Sequence, residues 1–253
     1  MNLTETQLDR YARHIVLPEI GGKGQKKLLA AHVAIVGAGG IGSPVIQYLA
    51  AAGVGRLTII DDDEVSLSNL QRQTLFATRD VGAHKVAMAA NVVQRLNPDV
   101  KIVPYDQRLT SDNARDLLDK VDVIVDGSDN FGTRLAISDM ATELAIPLVS
   151  AAVHRFEAQL AVFKGYESDK PCYRCFVGDD PGEPEMTCAA QGVLGALTGT
   201  IGSLAAVEAI RLLTGFGKEN TDKLLLIDAK DFRFRTVRLA KEPNCQCSRH
   251  KKN

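Results

Sequence analysis

The stretch "HVAIVGAGGIGSPVIQYLAAAGV", residues 32–54, limits what this chain can fold into more than any other. A short apolar run leads into a glycine-rich turn, and an apolar helix follows. Gly37, Gly39 and Gly42 stand where a tight turn, a close approach of backbone to phosphate and close helix packing need them. The start of the helix offers free N–H groups and the positive end of a dipole to an anion. Downstream, the apolar segments "RLTIID", "VKIVPY", "VDVIVDG" and "IPLVSAAV" alternate with helical patterns such as "HKVAMAANVVQRLN" and "FGTRLAISDMATELA". That alternation predicts an α/β fold, a Rossmann-like, doubly wound and mostly parallel sheet.

After about Arg155 the rhythm changes. "EAQLAVFKG" reads as a strand, "YESDKPCYRCFVGDDPGEPEMTCA" as a loop, and "KLLLIDAKDFRFRTVRLA" as a hairpin. The sheet is therefore expected to continue into C-terminal antiparallel strands. No Pro/Ser-rich linker divides the chain, so residues 1–253 are expected to form one domain. Its nucleotide-binding part would cover about 1–155 and a C-terminal elaboration about 156–253. Two short helices precede the first strand, and Thr4 or Thr6 would cap the first.

The formal net charge of −1 gives no reason to expect nucleic acid or an anionic membrane as partner. The polar start, with charges of both signs, is not a secretory signal, so a cytoplasmic protein is expected. From Cys188 to Val207 there is no charge, over about the length of a membrane span. The segment is rich in Gly, Ala, Thr and Ser, and Glu208 and Arg211 follow, so a buried or interface helix is expected instead. Gly195 and Gly199 would let it approach a neighbour closely. Five cysteines, an odd number, argue against a secreted disulfide framework.

Asp61 closes the second strand about 20 residues past the glycine loop, where an acidic side chain accepts hydrogen bonds from a ribose. That suits NAD and ATP equally. The next segment, "SLSNLQRQTLFATRDVGAHKV", separates them. Hydride transfer needs no extra cations by the phosphates, whereas nucleotidyl transfer must neutralise a triphosphate and an attacking anion. Arg72 and Lys85 are the candidate cations, with Asn69 and Gln73 as neutral donors; the competing reading is solvated surface charge. "VDVIVDGSDNFGTR" puts Asp126 and Asp129 at the carboxyl end of a strand, where a carboxylate beside a triphosphate can hold magnesium. The competing reading is a cap, by Asp129 or Asn130, on the helix from Phe131. "CYRC" supplies Cys172 and Cys175, and "CQCSRH" supplies Cys245, Cys247 and His250, a donor set for tetrahedral zinc. Cys188 is left over, either a reactive thiol or an inert small hydrophobe. His14, His32, His84 and His154 lack metal-ligand spacing and read as structural.

Taken in order, "RYARHIVLPEIG", "GAGGIGSP", "DDDEVSLSNLQRQ", "GAHKV", "GSDNFGTR", "CYRC", "MTCAAQGVLG" and "GSLAAVEAIRLLTG" cover nearly the whole chain. In these motifs the sequence resembles the MoeB/ThiF family, bacterial relatives of ubiquitin-activating enzymes. The resemblance implies a homodimer that uses ATP and Mg2+ to adenylate the C-terminal glycine carboxylate of a small ubiquitin-like sulfur carrier. Such a carrier serves molybdopterin or thiamine synthesis. By matching motif, Gly37, Gly39, Gly40 and Gly42 would form the ATP loop, with Asp61 on the ribose and Asp63 nearby. Asn69, Arg72 and Lys85 would contact phosphates and Asp129 would bind magnesium. Arg13 would reach into the partner's site, and Cys172, Cys175, Cys245 and Cys247 would bind zinc. Cys188 matches the loop cysteine that thiamine-branch members join to their carrier. The second zinc pair departs from the usual Cys-x-x-Cys, so His250 competes for one corner. No rhodanese-like extension follows, so the sulfur donor is expected to be a separate protein. The competing functions are a non-catalytic carrier-docking homologue and, more distantly, an NAD-dependent oxidoreductase.

Overall fold

A computed structural model describes residues 3–178 and 192–248. Cys188 and His250 fall outside that range. Eight strands form one sheet in the order β3-β2-β1-β4-β5-β6-β7-β8. The strands are β1 (His32–Val36), β2 (Arg56–Ile60), β3 (Lys101–Tyr105), β4 (Val123–Asp126), β5 (Leu148–His154), β6 (Glu157–Phe163), β7 (Lys223–Asp228) and β8 (Arg233–Arg238). From β3 to β5 the pairing is parallel; from β5 to β8 it is antiparallel. The expected topology is thus the observed one. The strand order reverses between β1 and β4, the position at which open α/β sheets bind ligands.

The parallel strands are covered on both faces. Along β1, Val33 and Ile35 join one core cluster, and Ala34 and Val36 join the other. The first cluster lies under α3 (Gly21–Ala30), α4 (Gly42–Ala51), α5 (Lys85–Leu96) and α9 (Gly195–Thr214). The second lies under α6 (Ala114–Leu118) and α7 (Phe131–Glu143).

At the amino end are α1 (Glu5–Arg10) and α2 (Ala12–Ile15). Thr4 caps α1 in a reciprocal capping box with Gln7, so Thr4 and not Thr6 is the cap. The pair of helices is anchored by Tyr11, which is buried against Gly53 and bonded through its hydroxyl to Asn97 at 2.8 Å.

Helix α9 is long and apolar enough to cross a membrane, yet its Leu197, Ile201, Ala205 and Ala209 are buried as one stripe. The close approach expected at Gly195 and Gly199 occurs at Gly195 and Gly202 instead. A Cβ at Gly195 would lie 2.3 Å from the Gln71 carbonyl oxygen, and one at Gly202 would lie 2.4 Å from that of Ile41. Gly199 faces open space, because the stripe that meets the glycine loop is set by Thr198 and Gly202, four residues apart. The segment expected to be loop around "CYRC" contains a short helix, α8 (Tyr173–Val177). Tyr173 supplies the burial that the polar composition hid, packing edge-on against Phe163 and Phe176.

Candidate functional site

A cleft of about 1060 Å³ opens over the carboxyl ends of β1 and β4 and runs on across β5–β8. Its inner end is the turn after β1. Gly37 has a φ of +91°, open to glycine, and a Cβ at Gly42 would lie 1.9 Å from the Gly37 carbonyl oxygen. The glycines thus permit a turn that no other residue could close. Gly37, Gly39 and Gly40 line the cleft, whereas Gly42 lies buried beneath as the first residue of α4.

Asp61 follows β2 and braces the loop. One carboxylate oxygen accepts the Ala38 N–H at 2.7 Å and the other accepts the Asp63 N–H at 2.9 Å. Burial pushes its carboxyl above the usual carboxylate range, and the Lys85 ammonium pulls it partly back. Lys85 opens α5 and is buried, with its Nζ 2.6 Å from Asp63 and 3.6 Å from Asp61. A lone ammonium there would be costly; two carboxylates compensate it. Asp62, also in the cleft lining, pairs with Arg108 at 3.2 Å.

Asn69 ends a 3-10 turn whose carbonyls set the next residues: Arg72 and Gln73 both donate N–H to the Asn69 oxygen. Arg72 lines the cleft, its guanidinium bonded to the Ser68 carbonyl at 3.1 Å. Gln73 is buried beside Gly39, and its Oε1 has no hydrogen-bond partner among the described residues.

Asn130 is the cap of α7, accepting the Thr133 N–H at 2.9 Å, so the capping reading of Asp129 falls away. Asp129 is exposed at the cleft wall with no hydrogen bond or ion pair among the described residues. Asp126 is different. It is 1% exposed, and its oxygens accept from the Ser128 N–H, the Ser128 hydroxyl and the Ser150 hydroxyl. Its oxygens are engaged inside the protein, and Asp129 is the carboxylate of the two that lines the cleft.

Arg13 lies exposed on α2 and does not line the cleft of its own chain. His154, read as structural, lines the cleft's outer part, and His84 pairs with Asp106 at 2.9 Å. Arg134 was missed. It is 4% exposed and shares one stripe of α7 with Ile137, Ser138 and Ala141. A charged residue on an apolar helical stripe is the signal that was available.

A second cluster lies beside the second half of α7, where the Tyr173 N–H donates to the Ser138 hydroxyl. Cys172 precedes α8 and Cys175 lies within it; Cys245 precedes a tight turn near the tail and Cys247 lies within that turn. Neighbouring Sγ atoms are 3.5–3.7 Å apart, and all four lie within 4.8 Å of one another. Zinc–sulfur bonds of about 2.3 Å put tetrahedral sulfurs roughly 3.8 Å apart. Contacts from the Cys172 thiol hold the Cys175 thiol down at about 4, while its own is pushed up. The Cys-x-Cys spacing, doubted from sequence, brings both sulfurs in because a 3-10 turn at Gln246–Ser248 folds the pair back. The guanidinium of Arg174 clips α8 to Asp139 of α7 through two 2.7 Å bonds.

The ThiF family model matches residues 11–249. The chain is 46% identical to the SAMP-activating enzyme E1 of Haloferax volcanii, over 97% of this chain and 90% of that one. It is 45% identical to the sulfur carrier protein adenylyltransferase of Thermus thermophilus, over 97% and 92%. The bovine adenylyltransferase and sulfurtransferase MOCS3 is 46% identical, and this chain spans 53% of its length. Among solved structures, Escherichia coli MccB with ATP superposes with a TM-score of 0.82 at 21% identity, over 97% of this chain and 75% of that one. That likeness is one of fold.

Proposed function

The chain belongs to the ThiF family and is an adenylyltransferase acting on a ubiquitin-like sulfur carrier; we propose that it uses ATP and Mg2+ in the cleft over β1 and β4. The observation that carries this reading is the pairing, in one cleft, of an anion-binding glycine loop with Lys85, Arg72 and an uncommitted Asp129. The carrier's terminal carboxylate attacks the α-phosphorus of ATP. A carboxyl–phosphorus bond forms, the bond to the bridging α–β oxygen breaks, and pyrophosphate leaves. An unperturbed carboxyl has a pKa near 4, so the nucleophile is ionised at pH 7 and needs no general base. The protein's work is alignment and charge neutralisation.

In this reading Asp61 holds the ribose with Asp63 beside it, and Asn69, Arg72 and Lys85 contact the phosphates. Lys85 exchanges its carboxylate partners for phosphate oxygens as the nucleotide enters. Asp129, a hard oxygen donor at the cleft wall, would hold Mg2+, which supplies charge neutralisation on the phosphates. The Sγ spacing and the four thiols suit one structural Zn2+ at Cys172, Cys175, Cys245 and Cys247. Arg13, exposed on α2 and outside the lining of its own chain's cleft, would serve the partner's site in a cytoplasmic homodimer. The sulfur donor would be a separate protein.

Carrier-dependent exchange of pyrophosphate into ATP is the test. A docking homologue would bind the carrier without exchange, and an oxidoreductase would consume a nicotinamide cofactor instead. For the dimer, Arg13→Ala and Arg72→Ala proteins, each inactive alone, should recover activity when mixed. No recovery between subunits shown to exchange would remove Arg13 from the partner's site.

A further inference from the structure

We propose that the buried Asp126–Arg134 pair is a positioning device that sets the Asp129 carboxylate for its ion. The inference rests on the reading of Asp129 as the Mg2+ ligand. Ser128, the residue just before Asp129, has every polar group engaged by this pair. Its N–H and its hydroxyl donate to Asp126, at 3.0 and 2.6 Å. Its carbonyl accepts from the Arg134 guanidinium. The same nitrogen of Arg134 also donates to the Ala151 carbonyl of β5 at 3.2 Å, and Ser150 of β5 donates to Asp126 at 3.2 Å. The turn from Asp126 to Asp129 is therefore tied to β4, β5 and α7 at once.

The energetics favour position over stability as the use of this pair. Asp126 and Arg134 are 1% and 4% exposed, and their closest charged atoms are 4.0 Å apart. Removing two charges from water at that separation costs roughly what their attraction returns, so apolar residues could hold α7 to the sheet as well. What apolar residues could not do is fix the backbone of Ser128 from both sides. Arg134 reaches the cleft wall, but its guanidinium is bonded to the Ser128 and Ala151 carbonyls. The pair's effect reaches the site through the next carboxylate, in the way that groups behind a metal's ligands tune the metal's affinity.

The experiment measures ion binding apart from turnover. Mn2+ binding to protein plus a non-hydrolysable ATP analogue is followed by electron paramagnetic resonance, without carrier, beside metal-free nucleotide binding and thermal melts. Asp126→Asn and Arg134→Gln should each weaken Mn2+ binding by about 10-fold or more and leave metal-free nucleotide affinity within about 2-fold. Arg134→Lys should recover only part of the loss, because an ammonium lacks the planar fork. If Arg134→Gln does not fold, the isosteric Asp126→Asn carries the test alone. Arg134→Gln weakening metal-free nucleotide binding while Mn2+ affinity holds would make Arg134 a phosphate contact and overturn the proposal. Asp129→Asn separates the two readings. If it leaves Mn2+ affinity intact, Asp129 is not the ligand. If it weakens Mn2+ while Asp126→Asn does not, the ligand stands and the positioning role is lost.

Discussion

Lys85 and Cys172 are both almost fully buried, at 3% and 2% exposure, and each carries an ionisable group. Lys85 is answered from within the chain, by Asp61 and Asp63. Arg134 is answered likewise by Asp126. Among the described residues the Cys172 sulfur is answered by three more thiols, and four sulfurs within 4.8 Å repel one another as soon as they ionise. The buried charges of the cleft are thus paired within the chain, while the four thiols have the spacing and chemistry to take a cation. The contrast implies that the cleft's ligand-facing residues govern rate and the cluster governs stability.

Four measurements press on that contrast, taken from the largest effect down. Asp129→Ala should lower pyrophosphate exchange by about 10³-fold, roughly 4 kcal/mol of transition-state stabilisation, with the melting temperature unchanged. A large drop in melting temperature would mean that Asp129 is part of the balanced framework. Next, Cys172→Ser or chelation should cost about 3 kcal/mol and lower the melting temperature by roughly 10 °C, while nucleotide affinity stays within about 2-fold. Metal analysis of Cys247→Ser and His250→Ala then decides the fourth corner: loss of zinc in the first alone keeps Cys247, and loss in the second alone replaces it.

Lys85→Met should cost about 2 kcal/mol, because it leaves Asp61 buried without its cation. Burial already raises the Asp61 pKa, and without Lys85 it rises further. The native state then binds more protons than the unfolded one above the ordinary carboxylate range. Stability is therefore lower at neutral pH and recovers as pH falls through the raised value. A flat pH dependence in Lys85→Met would show that the ammonium does not balance Asp61. The smallest effect belongs to His32, a balanced group outside both centres, bonded to Thr58 and the Lys120 carbonyl. Burial lowers its pKa, so the unfolded state binds more protons just below 6.5 and stability is lost as pH falls there. His32→Gln should remove that slope, a change of about 2 °C in melting temperature near pH 5.5.

What could be read in the sequence follows the same division. Periodicity exposed the sheet because Val33, Ile35 and their neighbours are apolar on both faces, which only a doubly covered strand requires. That the glycine loop, Asp61, Arg72 and Lys85 meet in one cleft was legible because the segments that carry them follow strand ends at the switch point of the sheet. Asp126 and Asp129 were not separable, since both end the same strand. Only the Ser128 and Ser150 hydroxyls, brought in by sheet pairing, show which carboxylate is committed. Cys247 was doubted because spacing along the chain does not reveal the turn at Gln246–Ser248. Arg134 was overlooked because a charge inside a helix reads as surface until its stripe is known to be buried.

The clip between Arg174 and Asp139 has a consequence for how the molecule breathes. It fastens α8, which carries Cys175 and is preceded by Cys172, to the middle of α7, whose first turn follows the Asn130 cap next to Asp129. Lys241 adds a second fastening, from the tail to the Gly165 and Glu167 carbonyls. Helix, cysteine module and tail then open as one cooperative unit rather than fraying separately. Amide protons along α7 should exchange at the pace of the module, so that an ion held at the sulfurs slows hydrogen exchange at the wall of a distant cleft.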